Sequence, residues 1–323
     1  MRFICLFFTL IFLSCSDKVC NDNTSLPINI SVDSYVDAIS NLEDIEMFSD
    51  FVLLNKKQLF PFFEVQDSMD FIMKREDLFS LIDNIYFDSL HLDVRKTFPS
   101  PQYLFQDFDN AIRKYNTNSN TKLSPKITLL ITGFFNDIIV DSRDIIIGLD
   151  YFLDRSNKFK PTDLPVYILD RYTPNHLNSI TLSSYISQYN LINEVDKTLI
   201  NEIISFGKLY YIVSELLDCT PDNVVLGYSD EELSILEDNE AFIYSFFLQN
   251  ELLFEESNLI KQKYLSERPS TFEIDKSVPG RVGRWLGWKI VSSYMSNSTY
   301  SLEELLREDD YKNIFYNSNY NPI

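Results

Sequence analysis

Residues 279–295, PGRVGRWLGWKIVSSYM, constrain the fold more than any other stretch of this chain. The leading proline suits a helix N-terminus, because the first helical turn leaves that backbone N–H without a partner in any case. At helical spacing the apolar side chains cover most of the circumference, which is typical of a helix buried among other elements. Gly283 and Gly287 lie about one turn apart, and each costs about 1 kcal/mol relative to alanine in a helix. We therefore predict a buried helix whose glycines let another backbone pack closely.

Four stretches together resemble the GldB gliding-motility lipoproteins of Bacteroidetes. They are the helix just described, SLEELL at 301–306, ISFGKLYYIVSELL at 204–217 and LDRYTPNHL at 169–177. The resemblance extends over the whole chain, including a lipoprotein signal at the N-terminus, and is most specific after residue 126. It implies a lipid-anchored cell-envelope protein required for gliding motility, which acts through envelope proteins of the gliding machinery. It implies no particular reaction.

The N-terminal residues have the form of a lipoprotein signal. Residues 1–14, MRFICLFFTLIFLS, carry one arginine and an apolar run too short to cross a bilayer. Cys15 directly follows a small residue, so we predict that it becomes the acylated first residue of the mature chain. Two acyl groups would anchor it stably, since each buried CH₂ contributes about 0.8 kcal/mol. The alternative is an ordinary signal peptide that is cut elsewhere.

The predicted organisation is a signal peptide (1–14), a lipidated tether (15–30) and a single globular domain (31–323). A hydrophobic content of 45% is enough for one large core. The net charge of −20 argues against nucleic acid as a partner, because phosphate binding needs clustered cations. We expect a periplasm-facing protein held in the inner or outer membrane by the lipid on Cys15.

Cysteine usage is sparse, with four cysteines in the chain. Cys5 leaves with the signal peptide and Cys15 carries the lipid, which leaves Cys20 and Cys219. A disulfide between these two would suit an oxidising compartment, but Cys20 is only five residues from the anchor and therefore badly placed. We predict two free thiols.

Hydrophobic periodicity predicts an α+β fold that is predominantly α-helical with a small antiparallel sheet. The clearest helical pattern covers residues 199–217, and capping boxes at 229–232 and 301–304 mark two further helix starts. Weaker helical patterns cover 36–51, 78–86, 103–115, 174–189 and 239–254. Strands are predicted at 126–132 and 144–148, and their connection is short enough for a hairpin.

The order of small sheet, strand pair and two long helices is similar, at the level of fold, to zinc metallopeptidases with an HExxH motif. Such a zinc site needs two histidines four residues apart on one helix. The chain has only His91 and His176, and residues 181–187 offer hydroxyl groups where the metal-binding helix would lie. We therefore predict a degenerate metallopeptidase-like fold with no zinc, no other cofactor and no catalytic residues.

Three arginines are the remaining candidate site residues. Arg171 lies in the DRY stretch, and Arg281 and Arg284 lie at the start of the glycine-bearing helix. A cation beside a helix N-terminus opposes the helix dipole unless an anion faces it. One interpretation is that Asp170 or another acid pairs with Arg281 inside the fold. The other is a pocket for an anionic group where the two stretches meet.

Three functions follow from these patterns. The first is a non-enzymatic, lipid-anchored protein of the gliding machinery, and the second is an envelope hydrolase or a peptide-binding degenerate metallopeptidase. The third is a lipoprotein that binds anionic ligands or glycans. An open polar cleft under the 144–148 strand would favour the second, and a cleft filled by aromatic side chains would favour the first.

Overall fold

The structure is a computed structural model, and it describes residues 29–100, 103–162 and 164–322. The predicted signal peptide, the predicted lipidation site at Cys15 and most of the predicted tether lie outside the described residues. Within them the chain forms an α+β fold that is predominantly α-helical, as the sequence predicts. The similarity to zinc metallopeptidases stays a prediction.

The described helices differ in length between the two parts of the chain. Those before the sheet are α1 (Val36–Ser40), α2 (Ile45–Leu54), α3 (Lys56–Phe62), α4 (Ser68–Ser80), α5 (Phe87–Thr97) and α6 (Gln106–Asn118). Those after it are α7 (Val166–Leu169), α8 (Leu177–Ser187), α9 (Leu199–Leu216), α10 (Asp222–Leu226), α11 (Asp230–Asp238), α12 (Glu240–Gln249), α13 (Asn258–Leu265), α14 (Val282–Ser296), α15 (Leu302–Arg307) and α16 (Tyr311–Asn317). The two longest, α9 and α14, are the two that the sequence marks most strongly.

Local side-chain signals explain several of these boundaries. Both predicted capping boxes form, at residues 229–232 and 301–304. The single helix predicted over 36–51 is instead two helices, because the Asp44 side chain accepts a hydrogen bond from the Met47 backbone N–H at 2.8 Å and starts a new helix. The break between α1 and α2 is therefore a capping effect that the hydrophobic pattern does not show.

The sheet is mixed rather than antiparallel. Its strands are β1 (Ser31–Ser34), β2 (Lys126–Leu130), β3 (Ile138–Asp141) and β4 (Asp144–Gly148), in the spatial order β1-β2-β4-β3. Strand β2 pairs in parallel with both β1 and β4, and only β3 and β4 are antiparallel. The predicted hairpin of the second and fourth strands is wrong, because the segment between them forms β3 and takes the hairpin position itself.

Strand β4 lies inside the sheet, and all five of its residues are buried. The edge next to α8 is β3, and just beyond both elements the Gln188 side chain donates a hydrogen bond to the Ser142 carbonyl oxygen at 2.9 Å. The strand at 144–148 therefore does not form the edge of a cleft.

Helices α9 and α14 cross backbone against backbone. A Cβ atom added to Gly287 would lie 2.0 Å from the Ile203 carbonyl oxygen, and one added to Gly207 would lie 2.2 Å from the Gly287 carbonyl oxygen. Real Cβ atoms do not approach other atoms so closely, so only glycine fits on either side. The helices can bury the apolar surface around this point because neither carries a side chain there.

Gly283 lies one turn earlier on α14 and faces a different neighbour. Its added Cβ would meet the Leu265 side chain at 3.0 Å and the Tyr264 carbonyl oxygen at 3.1 Å, both on α13. Trp285 and Leu286 between the glycines are fully buried. The helix is therefore enclosed on several sides, and one hydrophobic cluster connects it to the rest of the described chain.

A buried lysine lies next to the crossing. The Lys208 ammonium donates hydrogen bonds to the carbonyl oxygens of Leu191 at 2.7 Å, Leu306 at 3.3 Å and Glu308 at 2.7 Å. Burial lowers the pKa of Lys208 to about 8, although the charges of Glu308 and Asp309 oppose that shift. This side chain ties α9 to the segment before it and to the C-terminal helices.

Cys219 follows α9 and is disulfide-bonded. The prediction of a free thiol there is therefore wrong. Spacing from the anchor was a poor guide, because the approach of two sulfur atoms depends on tertiary structure rather than on distance along the chain. Cys20 lies outside the described residues.

Candidate functional site

Three arginines from two separate stretches meet around one glutamate. Arg171 follows the short helix α7, Arg281 is the N-cap residue of α14, and Arg284 lies in the first turn of α14. Glu267 comes from the irregular segment between α13 and α14. We call these three arginines and Glu267 the arginine cluster. Its formal charge is +2.

Each arginine reaches a carboxylate oxygen of Glu267. Arg171 donates from Nη1 to Oε1 at 3.1 Å and from Nη2 to Oε2, as a two-pronged pair. The Nε atom of Arg281 lies 3.3 Å from Oε2, and Nη1 of Arg284 lies 3.3 Å from Oε1. A planar carboxylate thus fits between three guanidinium groups, which match its geometry.

The three cations around Glu267 affect the pKa of its carboxyl group. Burial alone would raise the pKa of the Glu267 carboxyl. The hydrogen bond from Arg171 and the charges of Arg281, Arg171 and Arg284 outweigh burial, so the pKa is lowered. Glu267 is therefore charged over the whole physiological range, and the cluster keeps one internal anion.

Arg281 is the most deeply buried of the three, with its side chain 7% exposed. It donates from Nη1 to the Leu226 carbonyl at 2.9 Å and from Nη2 to the Gly227 carbonyl at 2.6 Å, and its guanidinium lies 4.5 Å from the centre of the Tyr228 ring. Its backbone has φ of +60°, a left-handed conformation that non-glycine residues seldom adopt. Arg281 holds the end of α10 against the start of α14, so its donors are largely used within the fold.

Arg284 and Arg171 retain donor capacity. Arg284 donates from Nε to the Leu265 carbonyl at 2.6 Å and from Nη1 to Glu267, and its guanidinium lies 4.4 Å from the centre of the Phe206 ring. A guanidinium carries five N–H groups. Two are used on each of these arginines, so three on each have no hydrogen-bond partner among the described residues.

His176 is the histidine next to the cluster. Its Nδ1 lies 2.8 Å from the Thr173 hydroxyl oxygen. Burial, together with the positive charges of Arg171 and Arg281, lowers the pKa of His176 to about 4. The imidazole is therefore neutral at pH 7. Within the described part of the chain, no serine hydroxyl hydrogen-bonds to its ring.

Two cavities meet at the arginine cluster. The polar cleft has a volume of about 540 Å³ and is bordered by charged and polar side chains of residues 223–232 and 267–268. The apolar groove has a volume of about 410 Å³ and runs along α8 and α9. Arg171, His176, Glu267 and Arg281 line both, whereas Arg284 lines only the groove.

The groove passes along α8, which includes residues 181–187. Helix α8 presents Ser183 and Ser184 to it, and α9 contributes Phe206 and Leu209. Within residues 29–100, 103–162 and 164–322, no three His, Cys, Asp or Glu side chains are grouped so that they could hold a metal ion. The side chains present can offer hydroxyl groups, guanidinium N–H groups and apolar surface.

The structure brings together Arg171, Arg281 and Arg284, and an acid pairs with Arg281 inside the fold, as the first interpretation of the sequence expects. The anion pocket of the second interpretation stays a prediction. The acid that faces them is Glu267, whereas Asp170 pairs with Arg155 at 2.8 Å. Glu267 could not be found from the sequence, because it lies in an irregular segment with no periodicity, 96 positions from Arg171.

The other candidate residues lie elsewhere. Gly283 and Gly287 face α13 and α9 and do not line either cavity. His91 lies on α5, where its Nε2 is 3.1 Å from an Asp37 carboxylate oxygen. The histidines are therefore in different surroundings and share no site.

Asp150, which follows β4, is a buried acid with a raised pKa. Burial raises the pKa of Asp150 to about 6, although it accepts a hydrogen bond from the Phe134 backbone N–H at 2.6 Å. The cavity beside it is only about 60 Å³. That volume is small for a substrate, and the hydrogen bond from Phe134 shows that Asp150 holds the turn after β2.

Comparisons with known proteins give a family for the chain. The model of the family described as gliding motility protein GldB matches residues 16–322. No curated protein and no solved structure matches the chain.

Proposed function

Because the chain belongs to the family of GldB gliding motility lipoproteins, we propose that it serves the gliding machinery by binding an envelope protein and not by catalysis. The membership makes it a gliding-motility-related lipoprotein. The mode of action is the proposal. It is supported by an apolar surface on α4 and by the chemistry of the arginine cluster.

The observation that carries the proposal is an exposed apolar stripe on α4. Met69, Ile72 and Met73 follow one another at helical spacing on its outer face and are 67%, 53% and 74% exposed. Contiguous apolar surface of this kind is typical of protein interaction sites, and methionine adapts readily to a partner. The stripe is separate from both cavities.

The cleft chemistry supports the same proposal. A hydrolytic site needs an activated nucleophile or a metal-bound water near the substrate. Here His176 bonds to Thr173, and the carboxylate at the centre of the cluster is held by three arginines. Such groups are suited to binding rather than to proton transfer.

Membrane attachment is proposed to depend on lipid at Cys15. No helix in the described part of the chain is long and apolar enough to cross a bilayer. The disulfide at Cys219 agrees with an oxidising compartment outside the cytoplasm. We expect Cys15→Ala to give a folded protein that no longer sediments with membranes. Retention of that variant in membranes at high salt would contradict lipid anchoring.

The partner is tested by photo-crosslinking in gliding cells. A photo-reactive amino acid at Ile72 should give a discrete protein adduct, and the same group at Glu231, an exposed residue of α11, should not. Met73→Asp should abolish both the adduct and gliding at an unchanged protein level. Equal adducts from both positions, or normal gliding of the Met73→Asp cells, would overturn the proposed surface.

The absence of catalysis is tested on the purified protein. We expect no stoichiometric zinc, no peptide cleavage and a melting curve that chelators leave unchanged. One zinc per chain after dialysis would overturn the non-enzymatic proposal and favour an envelope hydrolase.

A further inference from the structure

We propose that the apolar groove and the arginine cluster form a binding site for an apolar molecule that ends in a carboxylate. Two kinds of molecule have this chemistry, a fatty acid and the free C-terminus of an apolar peptide. The proposal does not depend on the partner surface on α4, since the groove and that stripe use different residues.

The polar half of the site is the unused donor capacity of two arginines. Arg171 and Arg284 each keep three N–H groups without a hydrogen-bond partner among the described residues, and both line the groove. Their side chains are only 16% and 20% exposed. Donors in such a partly buried place interact more strongly with an anion than they would in water.

The apolar half is the wall of the groove. It is lined by Ile168, Ile180, Phe206 and Leu209, which are all partly exposed. An occupant could remove this surface from water. The volume of the groove, about 410 Å³, lies in the range of small-molecule sites.

Three observations favour a carboxylate over a phosphate. Glu267 shows directly that a planar carboxylate fits between these guanidinium groups. The net charge of −20 also repels anions in proportion to their charge, which disfavours a dianion more than a monoanion. His176 is neutral at pH 7 and adds no positive charge to balance a second negative one.

Glu267 does not already fill the site. It neutralises one of three positive charges, so the cluster keeps a formal charge of +2 at the end of the groove. Buried cations without anions are unfavourable, and a ligand carboxylate would pair with the donors that Glu267 does not reach.

The proposal can be tested by calorimetry on the full mature chain carrying Cys15→Ala, whose fold is first compared with the lipidated protein by circular dichroism. The probes are octanoate, its neutral analogue octanamide, N-acetyl-Leu-Val-Phe with a free carboxylate, and the same peptide as an amide. Acetate and inorganic phosphate serve as anions without an apolar body.

We expect octanoate or the free-acid peptide to bind at least about tenfold more tightly than its amide, since hydrogen bonds between charged groups are lost in the amide. Whichever of the two binds more tightly identifies the natural class as fatty acid or peptide. Affinity should rise about fourfold for each CH₂ that the groove buries, measured from butanoate to octanoate.

Variants separate the proposal from general effects. Arg284→Gln should weaken binding at least about tenfold, whereas Arg95→Gln removes an exposed arginine outside both cavities and should leave it unchanged. The double variant Arg171→Gln/Glu267→Gln removes one charge of each sign and so tests Arg171 without unbalancing the cluster. Equal binding of acids and amides, no binding of either acid, or full affinity in Arg284→Gln would overturn the proposal.

Discussion

The middle and the first turn of α14 use opposite means to hold their neighbours. In the middle, Gly287 has no side chain, and the α9 backbone fills the space against it. In the first turn, Arg281 and Arg284 extend long charged side chains that meet at Glu267. The first contact depends on shape and the second on charge. A region of the first kind can only be structural, whereas a region of the second kind keeps donors that a ligand can use.

The sharpest test of this contrast is a large side chain introduced where α9 and α14 cross. Gly287→Leu should destabilise the protein by more than about 3 kcal/mol, because even its Cβ would lie 2.0 Å from the Ile203 carbonyl oxygen. Ser296→Leu, on the exposed last turn of the same helix, is the control. Thermal melting of both variants measures the effect. An unchanged melting temperature for Gly287→Leu would show that the crossing is misplaced.

The next largest effect should come from charge at the first turn. Glu267→Gln keeps the shape but leaves three arginines without their anion, and we expect a loss of about 1–3 kcal/mol because the site is partly buried. The double variant Arg171→Gln/Glu267→Gln should recover part of that loss. Urea unfolding measures both. A double variant less stable than Glu267→Gln alone would mean that shape, not charge, governs this turn too.

Lys208 places a titratable group next to the crossing of α9 and α14. Its pKa of about 8 lies below the ordinary value of 10.5, so the unfolded chain binds more protons between these values. The free energy of unfolding should therefore increase, and the protein become more stable, as the pH rises from 8 towards 10. Urea unfolding of the wild type and Lys208→Met at pH 7.5 and 9.5 isolates this contribution. An equal pH dependence in the two proteins would show that Lys208 titrates normally.

The smallest expected effect concerns His176. Its pKa of about 4 lies below the ordinary 6.5, so its contribution to stability is complete above pH 6.5 and is lost as the pH falls towards 4. Arg171→Gln should move this pKa upward, because one of the two arginine charges that lower it is gone. NMR titration of the His176 imidazole in the wild type and in Arg171→Gln measures this pKa directly. A pKa that stays near 4 would assign the shift to burial alone.

The sequence predicts local features of this protein well and its long-range pairings poorly. Residues 199–217 and 279–295 carry strong helical periodicity, and the two capping boxes depend on side chains three positions apart, so both kinds of signal are contained in the segment itself. The parallel pairing of β2 with β1 and β4 has no such signal. Strand β1 is only four residues long and pairs with residues about 95 positions away.

The candidate site shows the same limit. The scarcity of arginine made Arg171, Arg281 and Arg284 conspicuous, and opposition to the helix dipole predicted that an anion faces the last two. Nothing in the 266–278 segment distinguishes Glu267 from the other acids of a strongly acidic chain. Likewise, the disulfide bond of Cys219 depends on tertiary structure, which the local sequence does not show.

The hydrogen bonds of Lys208 have a consequence for the order of folding. Its acceptors at Leu306 and Glu308 are 98 and 100 positions further along the chain, and α9 meets α14 across 80 positions between Gly207 and Gly287. Contacts with such large sequence separation form slowly, because the loop must close before they stabilise anything. Segments leave the ribosome in order, so the face of α9 that meets α14 stays unburied until nearly the whole chain has been made. We therefore expect the newly made protein to need a chaperone, and truncations before α15 to be degraded rather than to persist as partial domains.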